Sequence, residues 1–76
     1  MTSKWIKLRN LTIDNYVDYA GVIRSAYPAY NVSNKSFFVM ENDSYPEWCI
    51  EQISIDNAKM RFGLCDEDLI LIKLKI

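Results

Sequence analysis

Histidine is missing from all 76 residues. Its absence removes the side chain that titrates nearest neutrality, the Ser-His and Cys-His nucleophile pairs, and the commonest zinc ligand. Glycine is nearly as scarce: Gly21 and Gly63 are the two present, too few for a glycine-rich loop around a phosphate. Cysteine is limited to Cys49 and Cys65. They have neither Cys-x-x-Cys nor metal-ligand spacing and read as reduced core or boundary thiols. No apolar run approaches the roughly 18 residues of a membrane-spanning helix, and the stretch from Met1 to Lys7 has no apolar signal core. The expected setting is therefore cytoplasmic, without a membrane partner, and the Asn-x-Ser/Thr triplets at Asn10, Asn31, Asn34 and Asn42 are read as coincidental. Neither sign of charge prevails. Nine Lys or Arg face ten Asp or Glu, and with no basic cluster nucleic acid is not an expected partner.

Apolar residues make up half of the chain and aromatics 13%, which excludes disorder and provides for one small core. Folding a domain this short buries only about 60% of the surface its unfolded chain exposes, so little stability is in reserve. Periodicity divides the core among elements. Ile6 and Leu8 alternate with Lys7 and Arg9, predicting a strand from Trp5 to Arg9. Thr12 has the chemistry of an N-cap, and Tyr16, Ala20, Ile23 and Tyr27 recur at steps of four, three and four. This predicts a helix from Ile13 that Pro28 closes, with Gly21 a cost inside it. Ser36 to Met40 is compatible with a helical turn or a strand, and helix is the reading taken. Ser44-x-x-Glu47 has the form of a capping box, pointing to a helix from Tyr45 to Ile55; the alternation of Ile53 and Ile55 supports instead a strand from Trp48 to Asp56.

In the last third, Met60, Phe62 and Leu64 alternate with Lys59, Arg61 and Cys65. Ile70, Ile72, Leu74 and Ile76 then share one face of a second arm. The reading is a β-hairpin whose loop, Asp66-Glu67-Asp68, is a solvated turn and not a metal site. Strand, helix, helix, strand, strand describes an α+β fold: a small antiparallel sheet in β-α-α-β-β order with helices on one face.

Ile6-x-Leu8-Arg9-x-Leu11-Thr12 leading into an acid-containing helix start, Ala26-Tyr27-Pro28 at its end, and Arg61-Phe62-Gly63-Leu64 before an acidic turn and the run Leu69 to Leu74 resemble the N-terminal half of a Gcn5-related N-acetyltransferase. Asn15 replaces a frequent acid, the turn lacks its usual Gly, and Leu71 stands where many members have Gly. The family's acetyl-CoA site lies on a fourth strand and a Gly-rich loop that these residues do not include. The resemblance thus implies an acceptor-side half, inactive alone, that would engage acetyl-CoA only when completed by the missing half. It also implies that Tyr27, Tyr30 and Trp48 border an acceptor or partner, against plain packing as the simpler role for those aromatics.

Two further readings stand beside it. One is a self-contained α+β interaction module, such as a phage-type inhibitor or assembly protein, anchored by exposed aromatics. The other, a complete small enzyme, lacks a nucleophile-base or carboxylate pair. The terminal arm is apolar on both faces at its start, so its edge, with Leu69, Leu71, Lys73 and Lys75, is expected to pair with another copy in a homo-oligomer.

Overall fold

The computed structural model describes residues 4–43 and 45–75. Five strands precede two helices: β1 Trp5–Lys7, β2 Ile13–Val17, β3 Ile23–Asn31, β4 Ser36–Glu41, β5 Cys49–Ile53, α1 Ile55–Phe62 and α2 Asp66–Lys75. The α+β class, with a small antiparallel sheet and helices on one face, is thus found, but the β-α-α-β-β order is replaced by five strands and then two helices.

The sheet runs β1-β3-β4-β5, every pairing antiparallel. β2 also pairs with β3, beside its first residues, while β1 pairs with its last. Together they form one edge row, broken by a 3-10 turn at Arg9–Leu11. This break explains how proline is accommodated in a central strand. The Pro28 carbonyl accepts from the Leu8 amide at 3.0 Å, so Pro28 turns its polar side toward the broken row. The donor that proline lacks falls on that side, where the ladder is already interrupted. Pro28 sits within β3 and closes no helix.

The expected helix from Ile13 to Tyr27 is instead β2, a tight turn and β3. The turn is closed by the Asp18 amide on the Val22 carbonyl and the Gly21 amide on the Asp18 carbonyl, both at 3.0 Å. Gly21 has φ 80°, a left-handed conformation that explains why glycine stands there. Ser36 to Met40 belongs to β4 and not to a helix. The helix expected from Tyr45 to Ile55 is a loop followed by β5, which agrees with the strand alternative at its centre. The proposed cap Ser44, like Ile76, lies outside the described residues.

The final hairpin is also replaced, by two helices. Ser54 accepts from the Asn57 amide and caps α1, Asp56 lies in its first turn, and Gly63, at φ 70°, ends it. Asp66-Glu67-Asp68 begins α2, where acidic residues complement the helix dipole, and the Asp68 carboxylate reaches back to the Cys65 amide at 3.1 Å. The acidic stretch is a helix start and not a hairpin loop. Leu69, Leu71, Lys73 and Lys75 consequently lie on a helix, and the edge strand assigned to them does not exist. Of the segments that resemble an acetyltransferase, the first strand alone has the element the resemblance implies.

One sheet face receives both helices. Ile6, Leu8, Tyr16, Ala26, Phe37, Val39, Ile50 and Ile53 meet Ala58 and Phe62 of α1, Leu64, and Ile72 of α2. Phe62 stacks on Tyr16 with ring centroids 5.5 Å apart and planes within 10°. Among the described residues no helix covers the opposite face. Tyr27, Ala29 and Met40 are buried there beneath Trp5 and Cys49. Arg9 lies over the Tyr27 ring at 4.7 Å, and Glu47 crosses to pair with Lys7 and Arg9.

Phe62 fastens α1 to the sheet, so Phe62→Ala is expected to remove about 3–5 kcal/mol, most of the stability of a domain of this size. Urea denaturation followed by far-UV circular dichroism measures this. A loss below about 1 kcal/mol would show that α1 is held mainly by other contacts.

Candidate site at the hairpin end

The β2–β3 hairpin is organised by a buried acid. The side chain of Asp18 is 2% exposed. One carboxylate oxygen accepts from the Ala20 and Val22 amides, both at 2.9 Å, and the other from Arg24 Nε at 2.6 Å. Arg24 in turn donates to Glu41 at 3.0 Å and lies 4.8 Å from the centre of the Trp48 ring. A short acidic side chain bonding to backbone amides a few residues ahead is a turn-forming arrangement, here with a guanidinium neutralising the charge. The Arg24 bond and the two backbone bonds hold the Asp18 carboxyl below the usual carboxylate range, and the same pairing holds Arg24 above its ordinary value.

This rigid support carries an apolar surface. Val17 and Ile23 stand opposite each other across the hairpin at 48% and 67% exposure, while Tyr19 and Val22 at the turn are 79% and 46% exposed. Trp48 is 43% exposed beside Arg24. Of these residues, Tyr19, Trp48 and Arg24 are of the types enriched at protein-contact centres, and the aliphatic side chains add apolar area around them.

The inner side of β2 opens on a cavity of about 370 Å³ lined by Ile13, Asn15, Tyr16, Val17, Asp18 and Arg61. Tyr16 donates to the Glu51 carboxylate at 2.8 Å. Its pKa is pushed up to about 12, first by burial and then by that acceptor, so it holds its proton at neutral pH. Arg61 lies 5.2 Å from the centre of the Tyr16 ring and donates to the Val17 carbonyl at 3.3 Å. These contacts join α1 to the hairpin; they do not assemble a nucleophile with a base.

A second, smaller cavity of about 230 Å³ lies between α2 and the sheet, lined by Tyr30, Phe37, Ile55, Leu69, Ile72 and Lys73. Both cysteines are free, Cys49 half-buried and Cys65 exposed, with the Cys65 thiol 3.2 Å from Asp68. Burial raises the Cys49 thiol above its ordinary value. Among the described residues no group of three acidic or thiol side chains could hold a metal ion, and no helix is long and apolar enough to cross a membrane.

The three aromatics expected at one site are dispersed. Tyr27 is 1% exposed on the helix-free face, Tyr30 packs against Phe37 at 5.1 Å on the helix-covered face, and Trp48 alone is substantially exposed. The helical pattern expected over residues 13–27 spreads Val17, Tyr19, Val22 and Ile23 around a helix, whereas the hairpin brings them together. Asp18-Tyr-Ala-Gly21 between two β-branched runs was the signal that could have found them. No family model matches this chain, and neither a curated protein nor a solved structure matches it.

Two titrations follow. Because Asp18 has a depressed folded-state pKa, its contribution is complete above the unfolded value near 4 and is lost as pH falls through the folded one. The protection of the Ala20 and Val22 amides, measured against their intrinsic exchange rates, should therefore fall in acid, and Asp18→Asn should lack that protection already at pH 7; unchanged protection in the variant would remove Asp18 as the organiser. Tyr16 behaves oppositely, since its raised pKa makes its contribution complete below about pH 10 and lost as pH rises toward 12. The difference in alkaline absorbance titration between the wild type and Tyr16→Phe should show one phenol ionising near pH 12, and a difference appearing at pH 10 would contradict its burial against Glu51.

Proposed function

We propose that this chain is a small protein-interaction module whose partner surface is the end of the β2–β3 hairpin: Val17, Tyr19, Val22 and Ile23, with Trp48 beside them. The observation that carries this reading is the combination of a buried, fully bonded Asp18 with four apolar side chains left in water directly around it. Exposed apolar groups on a mobile loop would lose conformational freedom when covered. On a turn fixed by three hydrogen bonds most of that loss has already occurred, so more of the contact energy appears as affinity. The face is neither strongly basic nor strongly acidic, which favours a protein over a polyanion as the ligand.

The acceptor-side half of an acetyltransferase needs a helix over residues 13–27 and paired strands over 59–76. Strands and helices respectively occupy those segments, so acetyl-CoA has no part in the proposal.

A photo-activated cross-linker placed at Ile23, compared with one at Ser33 in the turn at the other end of β3, tests the reading in extract of the cells that make the protein. The expected outcome is one discrete adduct from position 23 and none from 33. Tyr19→Ser with Ile23→Ser should lower its yield at least tenfold, since central contact side chains contribute about 2 kcal/mol or more each. These positions are exposed, so the thermal midpoint should stay close to that of the wild type. Identical adducts from both positions, or no effect of the double substitution, would sink the proposal.

A further inference from the structure

On a face separate from the hairpin, α2 presents a surface that is itself self-complementary. Ile72 is the buried residue of this helix, with Leu69 partly buried beside it. Ile70, Leu71 and Leu74 point away from the core at 56%, 53% and 77% exposure. At 100° per residue these three form one stripe, roughly opposite Ile72. A helix apolar on both sides has a second surface to bury. Its charges are segregated as well: Asp66, Glu67 and Asp68 fill the first turn, while Lys73 and Lys75 lie in the last.

We infer that α2 pairs with α2 of a second copy, antiparallel, about a two-fold axis passing between Ile70 and Leu71. In that register Ile70 of each copy meets Ile70 of the other on one flank and Leu71 meets Leu71 on the other flank, and Leu74 lies over the aliphatic stem of Glu67. Asp66 of one copy then lies on the same flank as Lys73 of the other, and Asp68 likewise beside Lys75. A parallel pair would set acid against acid and lysine against lysine. An antiparallel pair satisfies both ends twice, as an isologous contact requires. The charge order therefore selects a second copy with a defined orientation from the occupants that an apolar stripe alone would admit.

Self-pairing through β5 has the opposite character. An antiparallel pair centred on Glu51 would place two carboxylates face to face, which destabilises a sheet pairing. A helix of ten residues is about 15 Å long, so the α2 contact falls below the roughly 1,200 Å² of stable interfaces, and the dimer forms and dissociates readily.

Sedimentation equilibrium of the full chain across a concentration series reads this directly. The wild type should show a monomer–dimer equilibrium, and Leu71→Ser should weaken it at least tenfold while leaving the circular dichroism spectrum unchanged. Asp66→Lys and Lys73→Glu should each weaken self-association. An equimolar mixture of these two variants should recover it, because the mixed pair restores opposite charges at both contacts. Recovery also excludes misfolding as the cause of the single-variant loss. A strict monomer at millimolar concentration would overturn the inference. So would a dimer indifferent to Leu71→Ser, or two charge variants whose mixture associates no better than either alone. The hairpin substitutions Tyr19→Ser and Ile23→Ser should not alter this equilibrium, which separates a failure here from a failure of the hairpin reading.

Discussion

The Asp18 carboxylate is the constraint from which the shape of the N-terminal half follows. A buried charge persists only where its hydrogen bonds and a counter-charge replace water, and here two amides and Arg24 do so. Each bond fixes a different element: the amides set the turn, and Arg24 ties the start of β3 to Glu41 at the end of β4. Asn31 has the corresponding role at the other end of β3. It is 3% exposed, and its side-chain oxygen accepts from the Asn34 amide at 2.9 Å. The two buried polar side chains among the described residues are thus the two that close hairpins, and β3, held at both ends, templates the rest of the sheet.

On that platform the helices divide the molecule into unlike surfaces. α1 seals one sheet face through Ala58 and Phe62, and Phe62 reaches the hairpin by stacking on Tyr16. The other face is shielded by side chains alone, with Arg9 over Tyr27 and Glu47 bridging Lys7 and Arg9. Most of the exposed large apolar groups then collect in two places, the hairpin end and the outer side of α2. A small domain that cannot surround its sheet leaves such groups outside, and here they are grouped and not scattered singly.

Several errors in the sequence reading share one cause. Tyr16, Ala20, Ile23 and Tyr27 satisfy a helical stripe, yet Asp18 and Gly21 between them form the stronger local signal once a turn offers the carboxylate two amides. Met60, Phe62 and Leu64 satisfy strand alternation, yet Met60 is 75% exposed, and the true pattern is Ala58 with Phe62, four apart on a helix. Short apolar runs match both periods, and the capping residues Ser54, Gly63 and Asp68 decide between them. Trp48, named with Tyr27 and Tyr30 on the strength of a family resemblance, is the one of the three that stays substantially exposed. Tyr27 and Tyr30 were not separable from it, since their placement on opposite sheet faces depends on a strand that the helical reading had erased.

Composition by itself determined that the chain has apolar residues enough for a small core, no histidine chemistry, too few glycines for a phosphate-binding loop, and balanced charges. Those properties are sums over residues and do not depend on arrangement. Which runs became strands, which became helices, and which apolar side chains stayed in water were decided only in the folded chain. The reason is energetic: a local preference of a few tenths of a kcal/mol per residue is outweighed by burial of Tyr16, Val39 or Phe62, each worth about 1.5–3 kcal/mol, in whichever element brings them together.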